Sequence, residues 1–136
     1  MSMFYLELVL KNHILLLIYN DGVTSYNIGD GFVHFSIATQ DVYKLVEHIR
    51  AKDGNITREP GPVEHGTTVT AFVKDHDGYT FALIQRSSIT GPFAQVALHV
   101  GDLDRAIKLY ENNLGSKVVR KDNRPDKKRK FNSQIV

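Results

Sequence analysis

The chain has no cysteine among its 136 residues. Disulfides, thiolate zinc sites and cysteine nucleophiles are therefore excluded, and the composition fits a reducing, cytoplasmic setting. A long hydrophobic run is also missing. The opening MSMFYLELVLKNHILLLIYN is apolar but broken by Glu7, Lys11, Asn12 and His13, so it falls short of the ~18–20 residues of a membrane helix. It lacks the basic start and small-residue cleavage site of a secretory leader. Two strands turning at KNH are the simpler reading, and no membrane partner is expected. The body lacks an excess of positive charge. Of 17 basic residues, 8 lie from Lys117 onward against only Asp122 and Asp126, which leaves 9 basic and 13 acidic residues before them. The sequence pI of 8.8 thus belongs to the C-terminal run, and the body makes a poor nucleic-acid surface. KKRK at 127–130 reads as a solvated, disordered terminus, with a nuclear signal or phosphate patch as the alternative.

What is present is one domain's length of alternating pattern. FVHFSIA (32–38) alternates, with Val33, Phe35 and Ile37 on one face and Phe32, His34, Ser36 and Ala38 on the other. In TQDVYKLVEHIRAKDG, Val42, Leu45, Val46 and Ile49 form a helical stripe, with Thr39 or Asp41 as N-cap and Gly54 as terminator. NITREPGPVEHG holds two prolines and two glycines and reads as loop after Thr57. VTAFVK (69–74) and YTFALIQ (79–85) are strands joined by DHDG. FAQVALHV (93–100) alternates again, and DLDRAIKLYENNLG carries a second helical stripe.

The two halves repeat. HFSIATQDVYKLVEHIRAKDG aligns with QVALHVGDLDRAIKLYENNLG at a constant offset of 61, so His34 answers to Gln95, Asp41 to Asp102 and Gly54 to Gly115. A period this long suits duplicated modules rather than a solenoid. The unit is βαβββ or close to it. Its apolar strand face can pack on its own helix, leaving the face with His34, Gln95 and His99 free to curve around a ligand. His13, His48, His65 and His76 show no ligand spacing. Asp75 and Asp77 read as turn formers.

Three phrases carry a family likeness: YNDGVTSYNIGDGFVHFSIATQDVYKLVEHIRAKDGNITREPGPV, TTVTAFVKDHDGYTFALIQR and QVALHVGDLDRAIKLYENNLG. They resemble the plant-type two-domain glyoxalase I, lactoylglutathione lyase, of the vicinal oxygen chelate superfamily. The resemblance implies an α+β fold of βαβββ modules: part of one at 1–31, a complete one at 32–86, a linker at 87–92, the start of another at 93–120 and a basic tail at 121–136. It implies a divalent metal, zinc or nickel, and the hemithioacetal of glutathione and methylglyoxal as substrate. A metal-bound glutamate would move a proton through an enediolate.

Carried over by position, His34 and Gln95 match two metal ligands of the family, while Leu16 and Ala82 stand where its two glutamates belong. Asn20 matches a glutathione-contacting asparagine. His99 replaces an arginine for the glutathione carboxylate, and Glu64 replaces a lysine. Asp30 and Glu64 are the only acidic residues expected near the mouth of the cup. The expectation is a lactoylglutathione lyase family protein with impaired activity. The alternatives are a binding module for glutathione conjugates or an inactive truncated paralogue. Unpaired strand edges would favour a homodimer or pairing with a full-length relative.

Overall fold

A computed structural model describes residues 3–10, 13–64, 66–123 and 131–135. The turn expected at 11–12, the loop residue His65 and the basic run at 127–130 lie outside the described residues. Two compact units are present, residues 1–99 and 100–136.

The first unit opens with β1 (Met3–Leu10) and β2 (His13–Asn20), an antiparallel pair that forms a sheet of its own. There follow β3 (Phe32–Thr39), α1 (Val42–Arg50), β4 (Asn55–Pro62), β5 (Val69–Lys74), β6 (Thr80–Gln85) and β7 (Phe93–Leu98). The run β3–α1–β4–β5–β6 is a complete βαβββ module. Its strands and β7 make one five-stranded sheet in the order β4-β5-β6-β3-β7. Only β3 and β6 pair in parallel, across the crossover through α1; the other neighbours are antiparallel.

Helix α1 starts where Asp41 Oδ1 accepts the amide of Lys44 at 2.9 Å, satisfying one otherwise free N–H of the first turn. Val42 and Val46, spaced four apart, are wholly buried against Ala71, Val73 and Leu83. Ile37, Leu45, Ile49, Ile56, Val69 and Phe81 complete this core. One sheet face is thereby covered, as the alternation in β3 predicts. At the same end Phe35 extends the core into an aromatic cluster with Phe32, Phe81 and Phe93, ring centroids 4.8–5.6 Å apart.

Two local expectations are corrected. The stretch read as loop after Thr57 is strand β4, extending to Pro62. It pairs with β5 through two register shifts, and it is an edge strand, where a proline's missing donor costs no ladder bond. The helix end needs its left-handed residue one position earlier than Gly54: Asp53 has φ 57°. Gly54 is required for space instead, because a Cβ there would collide with the Ile49 side chain.

The hairpin turn is as read. Asp75 Oδ1 accepts the amides of Asp77 and Tyr79 at 3.1 and 2.8 Å, and Gly78 takes φ 90°.

The β3–β7 pairing contains a local two-fold axis. The repeat offset of 61 carries Phe32, His34, Phe35, Ser36 and Ile37 onto Phe93, Gln95, Val96, Ala97 and Leu98. The observed pairs are Phe32↔Leu98, His34↔Ala97, Phe35↔Val96, Ser36↔Gln95 and Ile37↔Phe93. Applying the offset turns each pair into another member of the set, and Phe35↔Val96 into itself. The two register shifts exchange in the same way.

The second unit holds α2 (Leu103–Leu114), β8 (Val118–Asn123) and β9 (Phe131–Ile135). Asp102 caps α2 through the amide of Arg105 at 3.0 Å, and Gly115 ends it with φ 68°. Strands β8 and β9 pair antiparallel, so residues 121–123 and 131–135 are not the unstructured tail the sequence suggests. Charge alone gives no sign of such a pairing.

Replacing Asp41 with alanine removes the α1 cap and should lower stability by about 1 kcal/mol. In urea denaturation the midpoint should fall with an unchanged slope.

Candidate functional site

Residues paired across strands share a face, so the register identifies the side of the sheet away from α1. One row runs Phe72 (β5), Ala82 (β6), Ser36 (β3), Gln95 (β7). The row towards the start of β3 holds Lys74, Thr80, His34 and Ala97. His34 therefore lies diagonally beside both Ala82 and Gln95, at the ~7–8 Å spacing of diagonal neighbours. The fold gathers three of the four positions predicted from sequence around Ser36.

The chemistry of this face is neutral at its centre. Ser36 is 0% exposed and Ala82 2%. Ser36 Oγ is buried with no hydrogen-bond partner among the described residues. The His34 ring meets Phe72 edge-on, centroids 5.6 Å apart. Burial holds the imidazole below its ordinary value of 6.5, because a half-buried cation loses hydration. At the β4 edge Arg58 lies over Phe72, 5.7 Å from its centroid. Its guanidinium donates to Thr70 Oγ1 at 3.0 Å and to the Pro62 carbonyl at 3.1 Å. Arg58 and Ser36 carry polar groups on this face that the sequence reading did not assign to the site. Only strand alternation, extended to a correctly placed β4, would have found Arg58.

Other predicted residues are not gathered here. Leu16 is on β2, in the separate two-stranded sheet, opposite Glu7 in register. Asn20 ends the same strand and donates its Nδ2 hydrogen to Tyr26 Oη at 2.6 Å. His99 Nδ1 lies 2.8 Å from the Asp30 carbonyl oxygen. A carbonyl only accepts, so Nδ1 carries the proton. The backbone amide of His99 donates to Gly31 at 2.8 Å, continuing the β3–β7 ladder. Asp30 meets His99 through its main chain, and Glu59 is paired with Arg50 at 2.7 Å.

A divalent ion needs ligands that offset its charge. The face supplies an imidazole and an amide, with alanine and serine between them. Its strand positions carry no carboxylate, and no cluster of three or more potential acidic or histidine ligands occurs among the described residues. The buried, unpartnered Ser36 hydroxyl is a weak substitute, since a neutral hydroxyl adds no charge. This donor set does not fit the metal implied by the resemblance.

The depressed His34 sets a pH dependence. Above 6.5 the ring is neutral in folded and unfolded chains alike. As pH falls through 6.5 toward the lower folded value, the unfolded chain takes the proton first, and stability is lost. The urea midpoint should drop between pH 7.5 and pH 5.5, and His34→Asn should reduce that drop. An undiminished drop in the variant would assign the effect elsewhere.

The comparisons agree with this architecture. Residues 2–83 match the model of the Glyoxalase/Bleomycin resistance protein/Dioxygenase superfamily. The chain is 63% identical over 118 residues to lactoylglutathione lyase GLX1 of Arabidopsis thaliana, covering 87% of this chain and 42% of that one. It is 58% identical over 118 residues to a lactoylglutathione lyase of Oryza sativa subsp. japonica, covering 86% and 40%. The chain thus spans less than half the length of these relatives. A crystal structure of a Zea mays glyoxalase I mutant superposes with a TM-score of 0.86 at 54% identity, covering 90% of this chain and 43% of that one. With the complete βαβββ module, these matches establish that the chain belongs to the Glyoxalase/Bleomycin resistance protein/Dioxygenase superfamily.

Proposed function

We propose that this chain is a lactoylglutathione lyase-type module whose own turnover of the glutathione–methylglyoxal hemithioacetal is impaired. One observation carries the reading: Ala82 occupies the centre of the face beside His34 and Gln95, buried between Ser36 and Phe72. The reaction moves a proton between adjacent carbons of the substrate. It needs a base that takes the proton from one carbon and returns it to the other. A methyl group at position 82 can do neither. Losing a positioned base typically costs ~10²–10⁴ in rate. The family's activity is thus the ancestry of the site, and the substrate class remains a glutathione hemithioacetal.

Binding without turnover is the second reading. It is favoured by Arg58, which keeps a guanidinium on the same face over Phe72. Against it, Asn20 and His99 engage Tyr26 and Asp30 within the chain. A second copy, or a longer relative, would complete the cup. Among the described residues β4 and β7 end the five-stranded sheet, which supports that part of the reading.

Thioester formation from the hemithioacetal, followed by its absorbance with added Ni²⁺ or Zn²⁺, tests the proposal. The wild-type chain should give no rate above the protein-free control, and Ala82→Glu, which puts a carboxylate beside His34 and Gln95, should create one. A metal-dependent wild-type rate abolished by His34→Ala would overturn it.

A further inference from the structure

Strand β4 pairs with β5 in a broken register. One shift falls between Ile56 and Arg58, the next between Arg58 and Gly61, and the single pair between them is Arg58↔Phe72. In a regular strand Ile56 and Arg58, two apart, would share a face. The first shift separates them. Ile56, opposite Val73, packs with the core, while Arg58 joins the side of the sheet that carries Phe72, Ala82, Ser36 and Gln95. Irregularities of this kind re-aim a side chain beside a site.

Arg58 is fixed at three points. Nη1 donates to Thr70 Oγ1 at 3.0 Å, and Nη2 donates to the Pro62 carbonyl at 3.1 Å. The guanidinium carbon lies 5.7 Å from the Phe72 ring centroid, within the range of cation–π attraction. Thr70 is itself buried, at 6% exposure, so the anchor is rigid.

Phe72 passes this constraint on. Its ring meets the His34 imidazole with centroids 5.6 Å apart and planes at 74°, an edge-to-face arrangement. Strand β6 lies between β5 and β3. There Ala82, opposite Phe72, carries only a methyl, which leaves room for the two rings to meet across the strand. Neither nitrogen of His34 has a hydrogen-bond partner among the described residues. The orientation of the imidazole therefore comes from its packing on Phe72.

We propose that Arg58 is the positioning residue of this face: it clamps the Phe72 ring, and through that ring it sets which edge of His34 meets a ligand. A neutral imidazole presents a donor at one nitrogen and an acceptor at the other, so its orientation decides which polar group can be received. The guanidinium fork matters as well as the charge, because a lysine cannot make both donations while lying over the ring. That His34 meets a ligand rests on the reading of the face given above. The clamp does not, and its test reads ring contacts rather than turnover.

NMR of the chain with labelled histidine and phenylalanine rings, at pH 8 where His34 is neutral, tests the proposal. The wild-type chain should show cross-peaks between the His34 and Phe72 rings. Arg58→Gln should remove them and move the His34 ring signals, while those of His48 and His76 stay in place. Arg58→Lys should fail to restore the cross-peaks. Thr70→Val, which removes one anchor and keeps the side-chain shape, should move the His34 signals in the same direction by a smaller amount, and it decides the matter if Arg58→Gln does not fold. Cross-peaks retained in a folded but less stable Arg58→Gln chain would make Arg58 a staple of β4 alone and overturn the proposal. Full recovery with Arg58→Lys, or unmoved His34 signals in Thr70→Val, would overturn it too.

Discussion

The antiparallel pairing of β3 with β7 is the constraint on which the rest depends. It joins the two copies of the repeat, and its register decides which side chains meet. Phe35 opposite Val96 fixes the axis, and the alternation of the strand does the rest. With β3 held by β6, a slip of one residue in β7 would carry Gln95 to the α1 side and Val96 and Leu98 to the face of His34. The aromatic contacts of Phe35 with Phe32, Phe81 and Phe93 oppose such a slip. The core on one face therefore holds the arrangement of the other.

That second face is well formed and chemically sparse. Ser36 and Ala82 are as buried as core residues, yet they lie opposite the helix side. Small side chains let neighbouring strands close over the centre, and Phe72 and His34 wall it on one side. A lowered histidine, an amide and an unpartnered hydroxyl do not add up to a charged site. The pairing of the strands does not depend on these side chains, as expected when function resides in a few residues on a tolerant scaffold.

Much of this was legible in the sequence. The alternation of FVHFSIA, the Val42–Val46 stripe and the DHDG turn each specify their element through local physics. The offset of 61 went further than its first use, because it reappears in the pairing register. What could not be read has specific causes. Strand β4 is hidden by Pro60 and Pro62, whose tolerance depends on its being an edge. The left-handed position falls on Asp53 rather than on the expected glycine, and Gly54 answers instead to the crowding by Ile49. The partners of Asn20 and His99 are set by the loop between β2 and β3, which has no periodicity to interpret. Arg58 enters the face only once β4 is known to be a strand.

The central claim is that the face lacks the charge to hold a divalent ion. Calorimetric titration of the chain with Ni²⁺ and Zn²⁺ tests it most directly, with Ala82→Glu titrated alongside. The account predicts no saturable site in the wild-type chain and measurable binding once a carboxylate is restored beside His34 and Gln95. One ion held per wild-type chain and lost in His34→Ala would contradict it.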